Sequence, residues 1–135
     1  MLHECPCGSG EEYMQCCGRY IEGGARVPTA VALMRSRYTA YVLKNTDYIV
    51  ATAVKKVDSA IIENAMREGD FYRLEIISCK RGGAMDKKGE VTFKAYYRTT
   101  EGEGVLHERS LFVNRRGKWL YDEEASIMEN FKARE

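Results

Sequence analysis

An α+β fold is what this sequence predicts for most of its 135 residues, and three observations predict it. Apolar residues recur at helical spacing through residues 29–68, the period drops to two from Phe71 onward, and the segments between the alternating runs are short and rich in glycine. Helices followed by strands joined at hairpin length imply a helical layer on an antiparallel sheet, not alternating βαβ units. Hydrophobic residues at 44% and charged residues at 30%, with no span-length apolar run and no cationic then apolar leader, describe a globular cytoplasmic protein with reduced thiols. Lys and Arg number 21 against 20 Asp and Glu, so no global field draws the chain to DNA or to an acidic membrane.

Residues 1–20 stand apart as a small knuckle. The stretch ECPCGSGEEYMQCCG gathers Cys5, Cys7, Cys16 and Cys17, four of the five cysteines. Thiolates suit Zn²⁺, which takes four sulfurs tetrahedrally without a ligand-field preference. Pro6 turns the chain between the first pair, and Gly8 and Gly10 supply the backbone freedom of a tight loop. Glu11 to Gln15 is compatible with a helical turn that presents the second pair across the ion. Two other readings stay open: two disulfides, opposed by the compartment and the odd cysteine count, and a vicinal dithiol at Cys16 and Cys17 acting as a redox or metalloid sensor. A closed four-thiolate site leaves no position for substrate, so one structural zinc ion is the expectation.

Residues 21–28 read as a linker around Gly23-Gly24, and Pro28-Thr29 opens a helix. In TAVALMRSRYTAYVLKN, Val31, Met34, Tyr38 and Tyr41 recur at three and four, with Leu33 and Val42 widening the stripe to an end at Asn45. Thr46 or Asp47 can cap a second helix through DYIVATAV. Asp58 or Ser59 can cap a third, with Ile61, Ile62, Ala65 and Met66 on one face. Tyr72, Leu74 and Ile76 then alternate, as do Val91, Phe93, Ala95 and Tyr97; Leu111 and Val113 mark a third run, Trp119 and Tyr121 a fourth. The turns RGGAMDKKG, TTEGEG and NRRG make these a four-strand meander. The α+β domain spans 29–122, and 123–135 is a charged tail. Cys79 is an unreactive strand cysteine.

A curved sheet closed by helices encloses a pocket. Tyr38 and Tyr41 are candidates to line it, with Tyr48 beside them. Alternation sends His107 and Arg109 to one face of their strand and Glu108 and Ser110 to the other. On the pocket side, Arg109 would anchor an anion and His107 would act as acid or base; the plainer reading pairs Arg109 with a carboxylate such as Glu75. Arg35 and Arg37 leave the first helix on different sides. The basic pairs Lys80-Arg81, Lys87-Lys88 and Arg115-Arg116 sit in turns, the first and last at one end of the sheet, where they could touch RNA. The outer sheet face could pair two copies into a homodimer.

CPCGSGEEYMQCC resembles the SEC-C motif, named from the zinc-binding tail of the SecA translocase motor. That resemblance implies zinc on Cys5, Cys7, Cys16 and Cys17, Tyr13 as a packing residue, and docking to a protein partner such as a secretion chaperone or the ribosome. LMRSRYTAYV, DYIVAT, YRLEI, VTFKAYY, LHERSLF and GKWLYD, in that order, resemble the YchJ family, implying a cone-shaped domain of the nuclear-transport-factor-2-like fold. The chain departs from that family where Thr52-Ala53 replaces Thr-Trp and where no second cysteine cluster follows. The reading is a zinc-binding adaptor with a small-ligand pocket. Its alternatives are an enzyme acting on a small anionic substrate and an RNA-binding accessory protein. With the linker separating the units, Cys16→Ser is expected to leave the second one folded.

Overall fold

The computed structural model describes residues 3–128. A one-turn 3-10 helix, Tyr13–Gln15, and α1, Gly18–Ile21, follow the first cysteine pair; α2 is Ala30–Val42, α3 Thr46–Ala51 and α4 Ser59–Arg67. Four strands come next: β1 Gly69–Arg81, β2 Lys88–Thr99, β3 Gly102–Arg115 and β4 Lys118–Met128. They pair in sequence order, each antiparallel to the last, as the turn chemistry requires. Among the described residues no helix is long and apolar enough to cross a membrane.

Local capping places the helices. Thr29 Oγ1 accepts from Ala32 N at 3.2 Å and Asp58 Oδ1 from Ala60 N at 2.9 Å, each satisfying an otherwise unpaired donor of a first turn. Asn45, not Thr46 or Asp47, caps α3 by accepting from Tyr48 N at 3.0 Å. α2 stops at Val42 because Lys44 turns the chain with a φ of 60°. From there Lys44 Nζ reaches Asp70 at 2.7 Å, the Gly69 carbonyl at 2.8 Å and the Met66 carbonyl, tying the α2–α3 turn to the start of the sheet.

α2 lies across the inner face of the sheet. Leu33, Met34 and Tyr38 share one core with Val91, Phe93, Ala95, Phe112 and Trp119, while Ala40, Ile49 and Met66 form a smaller one between the helices. Its entry is pinned twice: Ala30 N donates to the Gly82 carbonyl at 2.9 Å, and Trp119 Nε1 donates to the Pro28 carbonyl at 3.2 Å.

Strand phase departs from the alternation in two places. Register shifts at Phe71/Arg73 and Ile76/Ser78 leave Tyr72 and Ile77 as bulged, exposed residues, so Phe71, Leu74 and Ile76 pack on the core. In β3 the inward residue is Phe112, 1% exposed, and not Leu111 or Val113. This phase turns Glu108 and Ser110 inward, at 7% and 2% exposed. Residues 123–128, expected as the start of a tail, continue β4, with Arg109 opposite Ile127. The strand loops out between Asp122 and Ile127, where Ser126 Oγ replaces a backbone acceptor and takes the Leu111 N–H at 2.9 Å. The expected tail beyond 128 lies outside the described residues.

Candidate functional site

Two sites emerge, and α2 separates them. In the first, the Cys5–Pro6–Cys7 turn closes with Gly8 N donating to the Cys5 carbonyl at 3.2 Å, and Gly8 and Gly10 take φ values of 81° and 88°. Cys5 N donates to the Glu11 carbonyl at 2.8 Å, folding the loop back so that the short helix delivers Cys16 and Cys17. All four Sγ atoms lie within 4.8 Å of one another. Cys7 Sγ is 3.7 Å from Cys16 Sγ, which is 4.0 Å from Cys17 Sγ. Tetrahedral zinc with bonds of about 2.3 Å sets its sulfurs about 3.8 Å apart, whereas a disulfide needs about 2.05 Å, so the residues fit a metal ion.

Electrostatics point the same way. Bonds from Cys17 and Cys5 hold the Cys7 thiol below its ordinary pKa, while bonds to Cys5 and Cys7 push Cys17 above it and burial raises Cys16. A divalent cation removes that conflict by stabilising the thiolates together.

The cluster is also built into the domain. Cys5, Cys7, Tyr13 and Cys17 are buried in the same core as Leu33 and Phe112. Arg35 of α2 donates Nη1 to the Cys7 carbonyl at 2.9 Å and approaches its Sγ at 3.6 Å; Thr39, one turn on, sits 3.7 Å from Cys5 Sγ. Tyr13 is a packing residue, 4% exposed. Cys79 stands exposed on β1, apart from the cluster.

On the other side of α2 a cavity of about 290 Å³ opens between α2, α4 and the inner sheet face. Its walls are apolar, from Met34, Phe71, Phe93, Leu106 and Phe112, and both tyrosines named from the sequence, Tyr38 and Tyr41, line it. Arg109 is not among its lining residues, and neither is His107: the phase that turns Glu108 and Ser110 inward sends both to the opposite face of β3. Glu75, named as a partner for Arg109, accepts from Tyr96 Oη at 3.0 Å.

The polar wall is Arg37, Glu108, Ser110 and Tyr121. Glu108 Oε2 accepts from Tyr121 Oη at 2.6 Å and from Ser110 Oγ. Arg37 donates Nη1 to the Ile49 carbonyl at 2.9 Å and to Thr52 Oγ1 at 2.6 Å, and its guanidinium lies 4.6 Å from the Tyr121 ring centroid. Tyr121 thus connects two buried opposite charges that form no direct ion pair among the described residues. Burial lowers the Arg37 pKa. Burial raises that of Tyr41, and burial with the Glu108 charge raises that of Tyr121.

A second cavity of about 200 Å³ meets the same wall from the α3 side and is lined by Ala53, Lys55 and Val57, so the segment that departs at Thr52-Ala53 contributes a wall. None of the four polar wall residues was named as a ligand group from sequence. The signal was Phe112: phasing β3 on it brings Glu108 and Ser110 inward. The expected meeting of the first and last hairpin turns is present, with Asn114 N donating to the Lys87 carbonyl at 2.8 Å.

Comparison with known proteins places the chain in a family. A family profile described as "YchJ, middle NTF2-like domain" matches residues 29–124, and the SEC-C motif matches residues 4–19. A UPF0225 protein of Corynebacterium efficiens is 42% identical over 120 residues, covering 87% of this chain and 88% of its own length. One from Streptomyces coelicolor is 43% identical over 119 residues, covering 87% and 90%. The solution structure of a SEC-C motif containing protein from Rhodopseudomonas palustris superposes with a TM-score of 0.80 at 37% identity, covering 88% of this chain and 94% of that one. The crystal structure of another, from Psychrobacter arcticus, gives 0.76 at 30% identity, covering 93% and 83%.

Proposed function

The chain belongs to the YchJ family of UPF0225 proteins, and we propose that it is a ligand-binding protein in which one structural zinc ion locks the knuckle onto α2 and the cavity beneath α2 takes a small organic molecule. The observation that carries this reading is Glu108. It is 7% exposed on the polar side of the cavity, and only one of its oxygens is bonded among the described residues. Oε1 is thus an acceptor at the cavity wall that an entering molecule carrying a donor would meet. Zinc is favoured by four sulfurs at tetrahedral spacing, and its role is structural because no coordination position is left open.

A native mass spectrum of untagged protein purified without chelator tests this. One zinc and a small-molecule adduct are expected. Zinc with no adduct, together with no saturable binding by any small fragment, would remove the cavity from the account.

An adaptor role, docking on a secretion chaperone or the ribosome, is a second reading. It is favoured by Met14, 55% exposed on the outer side of the knuckle beside exposed Glu11 and Glu12. Co-sedimentation of the zinc-loaded chain with ribosomes, lost on Met14→Glu, supports it; no co-sedimentation counts against the ribosome as partner. Catalysis through His107 and Arg109 draws no support from the cavity walls. RNA contact would fall to the rim of the first and third turns, where Lys80 already pairs with Glu90 at 4.0 Å.

A further inference from the structure

The cavity has a polarity that narrows its ligand, granted the small-molecule reading above. Each of its two charged groups is held differently. Arg37 spends Nη1 on α3, at the Ile49 carbonyl and Thr52 Oγ1, and lays its planar face on Tyr121. Glu108 spends Oε2 on Ser110 and Tyr121 and leaves Oε1 with no partner among the described residues. Glu108 therefore offers an entering donor an acceptor at Oε1. An anion seated at Glu108 would lie against a carboxylate, where like charges repel, while the Arg37 guanidinium is directed at α3 and the Tyr121 ring.

The remaining walls agree. Tyr41, Phe71, Phe93 and Phe112 offer aromatic faces, which favour apolar rings and attract cations. A volume of about 290 Å³ sits at the small end of ligand cavities, roughly 300–1,000 Å³. We infer that the cavity takes a small, largely apolar molecule carrying a hydrogen-bond donor, an amine or a hydroxyl, which it presents to Glu108, and that carboxylates and phosphates are excluded. This reverses the polarity expected from an arginine anchor at Arg109.

Three probes of one shape test the inference: benzylamine, benzyl alcohol and benzoate, titrated into the zinc-loaded full chain and followed through the NMR signals of Met34, Met66 and Leu106. Benzylamine and benzyl alcohol should shift these signals saturably, with benzoate at least tenfold weaker. Glu108→Gln, which keeps an acceptor for Ser110 and Tyr121 but loses the charge, should weaken benzylamine about tenfold or more. Benzoate binding as tightly as the other two at the same residues overturns the donor class while leaving the small-ligand reading intact. No saturable shift from any probe overturns both. Unchanged benzylamine affinity in a folded Glu108→Gln chain overturns the assignment to Glu108, and the probe comparison on the unaltered chain decides the class even where that variant does not fold.

Discussion

Arg35 and Arg37, two residues apart on α2, serve different sites. Arg35 faces the knuckle, where its guanidinium would offset the negative charge that four thiolates place on a bound metal ion, and it bonds the Cys7 carbonyl. Arg35→Ala should therefore weaken zinc retention about 10–100-fold in competition with a chromophoric chelator, the range typical of outer-shell partners. Retention equal to the parent chain would show that the contact only packs. Gly89 makes a second residue-scale case. A Cβ there would stand 2.5 Å from the Gly82 Cα and 2.7 Å from the Ala30 side chain, so sheet and helix approach too closely for any larger residue. Gly89→Ala should cost about 1–3 kcal/mol in urea unfolding, as overpacking does, and a loss under half a kcal/mol would mean the backbone yields.

α2 and α3 carry buried phenols whose ionisation opposes folding. Burial raises the pKa of Tyr38, Tyr41 and Tyr48 above the ordinary tyrosine value. A raised acid of this kind contributes stability that is fully present below its unfolded pKa, about 10, and is lost as pH rises from there toward the folded value. Urea midpoints should hold steady up to about pH 9.5 and fall beyond it, less steeply in Tyr41→Phe; an identical fall in that variant would place the effect elsewhere. α4 depends on its start. It spans nine residues with one buried side chain, Met66, so its cap matters more than its packing. Asp58→Ala should cost about 1 kcal/mol and speed amide exchange within α4 ahead of the sheet.

Across the whole molecule, the knuckle and the α+β domain share one core, in which three of the four cysteines are buried with α2 and the sheet. The linker suggested otherwise, and with it the expectation that Cys16→Ser spares the second unit. Chelating the metal should lower the melting temperature of the entire chain in one transition, with helix ellipticity and Trp119 fluorescence moving together. A domain transition that stays put while the knuckle alone loosens would restore the two-unit picture. Legibility in the sequence followed the range of the interactions. The cysteine cluster, the Thr29 and Asp58 caps and the order of the hairpins were readable because each is written in residues that adjoin along the chain, where spacing and local bonding decide the outcome. The face of each strand was not readable that way: one inserted residue at Tyr72 or Ile77 shifts every side chain beyond it, and pairing across the sheet decides where the insertion sits. The exchange of Arg109 for Arg37, and of His107 for Glu108, follows from the phase of β3 against α2, which comes into being only when the sheet closes on the helix.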